Sequence, residues 1–440
     1  MFPHAAEYLR RGDPMTAASP TQLDAGLPQQ RGGGRLDSRD NALNLFRLVL
    51  ASAVFVSHSF SVAGAGPEPR FAGESLGGWA VIGFFVISGY LITASRVRSD
   101  LGRYLVQRIA RIYPAFLACM IITAVVFAPI AFVVQNGSLG GFLTTANTPV
   151  NYVFANMGLK IGDYSVAGTL ADVPYPYAWN GPLWTLYYEF VSYLVVGFAM
   201  IFAVVRRTPW VMVGLFVLSV LARANLELVG RLTGGNQDVV LLSKLLPYFL
   251  GGAVVFLLRD KIPLRWWVAL PALAVGILLA YTWNDWGGQA AAPLFALAIF
   301  WFASWCPSPA VVRSNDISYG MYIYAWPVQQ LLALASVHEQ GQWVYNIATG
   351  LITAVLATAS WLLLERPVMR RVRAAEKSRQ STSRVGRPAG DASPVGTHGR
   401  LTVPDPTPAG AVVLDPAAVA PRHAQPSETT HVPDQAPPAR

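Results

Sequence analysis

The segment LFRLVLASAVFVSHSFSVA, residues 45–63, places an arginine and a histidine inside the first long apolar run of the chain. Arg47 and His58 are eleven positions apart. At roughly 3.6 residues per turn and about 1.5 Å per residue, they share one helix face and lie about 16 Å apart along the axis. An arginine at the centre of a membrane helix costs about 2.5–3.5 kcal/mol on insertion scales, so such side chains face a cavity or a partner. The segment therefore predicts a membrane helix that lines a functional site.

The composition indicates a membrane protein. Of the 440 residues, 53% are hydrophobic and only 13% are charged, whereas soluble domains carry about 25% charged residues. Apolar runs close to 20 residues recur along the chain, as a hydrocarbon core of about 30 Å requires of helices. We predict an all-α, polytopic membrane protein with about ten transmembrane helices. The predicted spans are residues 43–63, 78–95, 113–134, 183–205, 209–224, 239–258, 266–282, 290–306, 317–337 and 343–364.

The distribution of basic residues predicts the orientation. Arginine and lysine concentrate before the first span and in every second connection after it. The positive-inside rule then places both termini in the cytoplasm and the protein in the inner or plasma membrane as a multi-pass protein. The same rule accounts for the net charge of +9, so no nucleic-acid partner is expected. Cys119 and Cys306, the only cysteines, fall in predicted membrane segments, which argues against a disulfide scaffold or a metal cluster.

Three regions follow from the composition. Residues 1–40 and 371–440 are polar, or rich in proline and alanine, and are predicted to be disordered cytoplasmic segments. Residues 41–370 form the predicted transmembrane domain. Its longest outer connection, about residues 135–182, is long enough to be a lid or a binding loop.

Two motifs fall around the second and third spans. GFFVISGYLIT, residues 83–93, contains Ser88 and Gly89, which would allow close helix packing or the approach of a ligand to the backbone. Arg108 and Arg111 are three positions apart and share a helix face at the cytoplasmic border. Such a pair suits the phosphates of a nucleotide-like cofactor. The alternative is topology-setting charge that reaches toward lipid headgroups.

The fourth span opens with WNGPLWTLYYEF, residues 179–190. Glu189 lies about two turns inside its outer end, at a depth similar to that of His58. A carboxylate beside an imidazole orients the ring and raises its basicity, so we predict that Glu189 acts with His58. The alternative role for Glu189 is a structural hydrogen bond.

Aromatic residues at two helix starts are candidate substrate contacts. Trp184 and Tyr188 open the fourth span, and Tyr319 opens the ninth in SYGMYIYAWPVQQ, residues 318–330. These rings suit a sugar site, but an interfacial aromatic belt explains them equally well.

Six motifs, matched in order over about residues 41–370, resemble the acyltransferase-3 family of integral membrane acyltransferases. They are Arg47 and His58 with ten residues between them, FFVxSGYL as Phe84 to Leu91, RxxR as Arg108 and Arg111, PLW[ST]LxxE as Pro182 to Glu189, SYGxY as Ser318 to Tyr322, and ExP as Glu365 and Pro367. We interpret the last motif as a structural helix end. The chain departs from many relatives at Tyr324-Ala325-Trp326, where they carry a histidine.

The resemblance implies transfer of an acyl group, often acetyl, from cytoplasmic acyl-coenzyme A to a hydroxyl of a cell-surface or exported glycan or a small molecule. Arg47, Arg108 and Arg111 would bind the phosphates of the donor. His58 would be the general base, with an acyl-histidine intermediate as a second route. Proteins of glycan assembly are the expected partners.

A proton-coupled transporter or flippase is the alternative function. About ten spans with intramembrane His58 and Glu189 would also suit a carrier. Against it, the sequence shows no pair of matching halves with broken helices. Release of free thiol from acetyl-coenzyme A by the protein in detergent distinguishes the two functions.

Overall fold

The computed structural model describes residues 42–385, and most of this range is helical. The first half comprises α1 (Leu43–Val62), β1 (Arg70–Phe71), β2 (Glu74–Ser75), α2 (Leu76–Val97), α3 (Leu101–Ile122), α4 (Ala128–Asn136), α5 (Pro149–Asn156), α6 (Thr185–Ala199), α7 (Ala203–Arg207), α8 (Pro209–Ala224) and α9 (Leu226–Thr233). The second half comprises α10 (Gln237–Leu258), α11 (Trp266–Thr282), α12 (Gly287–Ala290), α13 (Ala292–Trp305), α14 (Ala310–Ser314), α15 (Ser318–Leu334), α16 (Gln342–Ser360) and α17 (Arg366–Val385). Short 3-10 turns occupy Phe142–Thr144, Gly181–Trp184 and Val337–Gln340, and π-helical turns occupy Thr123–Phe127 and Trp361–Glu365.

The apolar helices identify a helical membrane protein. Each of the ten predicted spans overlaps at least one of these helices. Five helical segments of the described chain are long and apolar enough to cross a bilayer, or six if α8 and α9, which meet at 90°, form one span. Helices α11 and α13 are apolar but shorter. Length and composition therefore support fewer spans than the ten that hydropathy predicts.

The third span is longer than the sequence suggested. Helix α3, the π-helical turn and α4 form one helical segment of 36 residues, Leu101–Asn136. Pro129 lies two residues after the end of the π-helical turn, and the wider turn accommodates the break in the backbone hydrogen bonds that proline causes because it has no N–H. Arg108 and Arg111 therefore lie within α3, and their side chains are largely buried between neighbouring helices.

The connection between α4 and α6 is a folded cap, which we define as residues 137–180. Trp179 is fully buried and its Nε1 donates to the Thr169 hydroxyl at 2.8 Å. The side-chain oxygen of Asn156 accepts from the backbone N–H groups of Gly162 and Asp163 at 2.9 and 3.2 Å. Hydrogen bonds within the cap therefore satisfy several of its buried polar groups.

Helices α2 and α10 pack closely because glycines face both backbones. A Cβ at Gly89 would overlap the carbonyl oxygen of Phe249, and a Cβ at Gly252 would overlap the carbonyl oxygen of Val86. The structure therefore confirms close packing at the Ser88-Gly89 step. Small residues let membrane helices approach in this way, and the gain is van der Waals contact.

Gly89→Ala is expected to destabilise the protein by about 1–3 kcal/mol, because the new methyl group forces α2 and α10 apart. The thermal unfolding midpoint of the purified protein in detergent measures the effect. Gly214→Ala is the matched control, since a Cβ there in α8 meets no atom within 4 Å. Equal midpoints for the two variants would contradict the close approach.

The last helix differs from the sequence prediction. Helix α17 continues to Val385, so the segment predicted to be disordered from residue 371 begins as a helix. The predictions for residues 1–40 and for 386–440 lie outside the described residues.

Candidate functional site

His58 is paired with a carboxylate that sequence reasoning did not select. Its Nδ1 lies 2.7 Å from Oε1 of Glu68. The hydroxyl of Ser57 donates to Oε2 of the same carboxylate at 2.7 Å, and Ser61 donates to Oε1 at 3.4 Å. Both the His58 and the Glu68 side chains are 21% exposed. The imidazole and carboxylate thus form a fixed pair at the end of α1.

A tight reversal after α1 brings Glu68 back over His58. Gly64 and Gly66 adopt φ of 67° and 122°, a region that favours glycine. Leu76 then donates its backbone N–H to the Pro69 carbonyl at 2.8 Å, which ties the end of this loop to the start of α2. These contacts fix the position of the short segment that carries Glu68.

The surroundings of Glu68 keep its carboxyl ionised. Burial would raise its pKa, but hydrogen bonds from His58 and Ser57 and the charge of His58 outweigh burial and lower the pKa to about 2. Because the pKa of Glu68 is lower in the folded protein than its usual value of 4.5, the ionised carboxyl stabilises the fold at pH values above 4.5. This contribution to stability is lost as the pH falls through about 2. The carboxylate is therefore available to His58 throughout the neutral range.

The other ring nitrogen of His58 has no hydrogen-bond partner within residues 42–385. An ionised Glu68 at Nδ1 assigns the proton of the neutral ring to that nitrogen, which leaves the lone pair on Nε2. The ring also contacts Trp326 edge-on, with centroids 5.1 Å apart. Nε2 is thus the nitrogen that can accept a proton from a substrate.

Glu189 does not pair with His58, contrary to the expected contact. Its Oε1 accepts from Ser88 at 2.7 Å and from Tyr193 at 2.6 Å. Similar depth in two helices does not fix which way each side chain faces, and Glu189 faces α2. These bonds fit the structural alternative for Glu189.

Glu189 also lines a narrow cavity of about 40 Å³ between α1, α2, α6 and α15. Arg47 and Tyr319 line the same cavity, with Thr185 and Tyr322. Two side chains predicted for different tasks, Arg47 and Glu189, therefore meet in one space, whereas His58 lies outside it.

The arginines predicted to bind phosphate are already engaged by carboxylates, with one exception. Arg47 forms an ion pair with Asp316, and Arg111 binds the same carboxylate at 2.6 Å. Arg111 also forms an ion pair with Glu365 at 3.0 Å, so Glu365 neutralises an arginine in addition to its place at a helix end. Arg108 differs, because its Nε is buried with no hydrogen-bond partner in the described chain.

Asp316 is the centre of this ionic network. Burial would raise its pKa, but the guanidinium groups of Arg47 and Arg111 outweigh burial and hold the pKa below its usual value. Its other oxygen accepts from the Ser318 hydroxyl at 2.5 Å. The network joins the starts of α1 and α15 to α3.

The candidate aromatic residues are mostly buried. The Tyr188 hydroxyl donates to Asp238 at 3.0 Å, and Tyr188 packs against Trp184 with ring centroids 5.7 Å apart. The Tyr319 hydroxyl donates to the Ile112 carbonyl at 3.0 Å, and only 8% of Tyr319 is exposed. Burial inside the protein is inconsistent with Tyr319 belonging to an interfacial belt.

Glu68 and Asp316 are the functional candidates that sequence reasoning missed. Glu68 stands between Pro67 and Pro69, two residues that restrict the backbone on either side of it. A carboxylate held between prolines ten positions after an intramembrane histidine is the signal that would have found it. Asp316 has no comparable local signal. Within residues 42–385, no group of three or more His, Cys, Asp and Glu side chains is arranged to hold a metal ion.

Comparison with known proteins identifies the class. A family model described as an acyltransferase domain matches residues 40–365. The chain therefore belongs to the acyltransferase-3 family, as the motifs indicated.

Individual relatives agree with this assignment. The chain is 30% identical to the O-acetyl transferase of Shigella phage Sf6, over 76% of this chain and 97% of that protein. It is 26% identical to Nodulation protein 10 of Rhizobium leguminosarum bv. viciae, over 75% of this chain and 93% of that protein. It is 25% identical to O-acetyltransferase OatA of Staphylococcus aureus, over 66% of this chain and about half (52%) of that relative. No solved structure matches the chain. The protein is an acyltransferase, which confirms the enzyme prediction and disfavours the carrier alternative.

Proposed function

We propose that the protein transfers an acyl group, acetyl in the simplest case, from cytoplasmic acyl-coenzyme A to a hydroxyl of a cell-surface or exported glycan. The names of two relatives support O-acetyl transfer. The pairing of His58 with Glu68, which leaves Nε2 of His58 open, is the observation that carries the proposal.

The proposed chemistry follows from that pair. Nε2 of His58 removes the proton of the acceptor hydroxyl as its oxygen attacks the thioester carbonyl. The carbon–sulfur bond breaks, and the coenzyme A thiolate leaves and takes the proton from the imidazolium. Glu68 holds the ring and stabilises its transient positive charge. The competing route forms an acyl-histidine at Nε2 before the acceptor attacks.

Arg108 is the proposed first contact for the donor phosphates. Arg47 and Arg111 are neutralised by Asp316 and Glu365, so a phosphate would compete with buried carboxylates for them. Arg108 carries a buried Nε that still lacks an acceptor. In this proposal the pantetheine arm then passes the cavity lined by Arg47 and Tyr319 on its way toward His58.

The membrane arrangement is part of the proposal. Ten spans with both termini in the cytoplasm would put the start of α1, with Arg47, on the donor side and the end of α1, with His58, on the acceptor side. The alternation of basic connections supports this orientation. The inner or plasma membrane and contact with proteins of glycan assembly complete the proposal.

Glu68→Gln is expected to lower the transfer rate about 100-fold, the loss that a small misplacement of a catalytic group produces. The assay measures free thiol released from acetyl-coenzyme A by the purified protein in the presence of a surface-glycan extract. Glu68→Asp keeps the carboxylate and should retain more activity than Glu68→Gln.

Glu227→Gln is the matched control, because Glu227 is 86% exposed and, within residues 42–385, forms an ion pair only with Arg231. A Glu68→Gln variant as active as this control would show that the carboxylate does not position His58.

A further inference from the structure

An open groove on the cap side of α15 is not used by the chemistry above. Its volume is about 610 Å³, within the range of about 300–1,000 Å³ typical of ligand pockets. The cap contributes Asp172 and Pro174, and the turn after α15 contributes His338 and Glu339. Nδ1 of His338 is buried with no hydrogen-bond partner among the described residues. The groove thus offers carboxylate, imidazole and apolar surface together.

A chain of ring contacts begins at the residue beside this groove and ends at His58. Tyr175 follows Pro174 directly and is 41% exposed. Its ring meets Trp326 edge-on with centroids 5.0 Å apart, and Trp326 meets His58 in the same way at 5.1 Å. One exposed ring and one buried ring therefore separate the groove from the candidate base.

The cap is held against α15 at this point. Gln330 donates its side-chain N–H to the carbonyls of Tyr175 and Ala178 at 2.7 and 2.8 Å. Trp326 donates its indole N–H to the same Ala178 carbonyl at 2.8 Å. Trp326, Gln330 and Ala333 are spaced for one helix face, and Ala333 lines the groove. The groove and His58 are thus fixed relative to each other by one helix face.

The lining chemistry selects a class of ligand. Asp172 and Glu339 are acidic, and none of the residues that line the groove is a lysine or arginine. An anionic ligand would meet like charge, whereas sugar hydroxyls can donate to carboxylates and sugar C–H faces can pack on Tyr175. We infer that this groove is the acceptor subsite and that it takes an uncharged, hydroxyl-rich stretch of glycan whose end approaches His58 along the rings of Tyr175 and Trp326. This inference rests on the proposed function.

The test uses the full chain in nanodiscs with acetyl-coenzyme A. The acceptors are surface glycan of the producing cells, deacylated with mild alkali and separated by anion exchange into neutral and acidic fractions. We expect acyl incorporation into the neutral fraction. Tyr175→Ala should raise the acceptor KM about 10-fold, the scale of one lost aromatic contact, and Tyr175→Phe should restore it. The double variant Asp172→Asn with Glu339→Gln should gain activity on the acidic fraction.

Trp343→Ala is the matched control, because Trp343 is an 81% exposed aromatic on α16 whose neighbours in the sequence do not line the groove, whereas Tyr175 directly follows the lining residue Pro174. An acceptor KM of Tyr175→Ala equal to that of this control would overturn the inference. A wild-type protein that prefers acidic glycan would also overturn it. So would a Tyr175→Ala variant whose thiol release in the absence of glycan falls as much as its acyl transfer to glycan. Failure of the wild type to release thiol under any condition would instead refute the proposed function itself.

Discussion

His58→Ala is expected to reduce acyl transfer by about 10²–10⁴-fold, the contribution of a well-placed general base. The variant removes the nitrogen that accepts the hydroxyl proton and leaves Glu68 with its serine donors. Thiol release from acetyl-coenzyme A and acyl incorporation into glycan measure the loss. The thermal midpoint should change little, because the ring is partly exposed and lies at the end of α1.

Val49→Ala controls for altered packing of α1, since Val49 is 57% exposed on the same helix. A His58→Ala variant that transfers at the rate of this control would remove the histidine from the mechanism. Labelled acyl-coenzyme A without acceptor separates the two routes. A protein denatured rapidly at neutral pH that carries label at His58 indicates the acyl-histidine, and unlabelled protein indicates direct transfer.

Arg111→Met is expected to lower the free energy of unfolding by about 3–5 kcal/mol, the usual cost of removing one partner from a buried ion pair. Asp316 and Glu365 would lose a shared cation, and their side chains are only 11% and 1% exposed. Thermal or denaturant unfolding in detergent measures the change. Adding Glu365→Gln should recover part of the loss, because the two sites share one network.

Arg231→Met is the comparison for this experiment. Arg231 is 70% exposed and pairs with Glu227 one turn away, and such surface pairs contribute about 0–1 kcal/mol. A loss in Arg111→Met no larger than in Arg231→Met would mean that the ionic network around Asp316 does not hold α1, α3 and α15 together.

The sequence predicted what depends on local periodicity. The positions of the helices follow from the spacing of apolar residues within each segment. The shared face of Arg47 and His58 follows from their spacing in the same way, and both residues lie in α1. The close approach at Gly89 was also readable, because glycine in an apolar helix has few other uses. The signal in each case is complete within about twenty residues.

Contacts between distant segments were not readable in the same way. Asp316 meets Arg47 and Arg111 across 269 and 205 positions, and nothing in the local sequence names those partners. Depth alone predicts that Glu189 pairs with His58, but the rotation of α6 turns the Glu189 side chain toward Ser88. Glu68 lies near in sequence, yet its approach depends on a reversal through two left-handed glycines.

The position of Asp316 also constrains biogenesis. Arg47 and Arg111 are synthesised more than two hundred residues before the carboxylate that neutralises them both. Until that part of the chain leaves the ribosome, each arginine bears its full insertion cost and must stay near the lipid headgroups. The early helices are therefore expected to reach their final depth only after the segment that carries Asp316 has been synthesised.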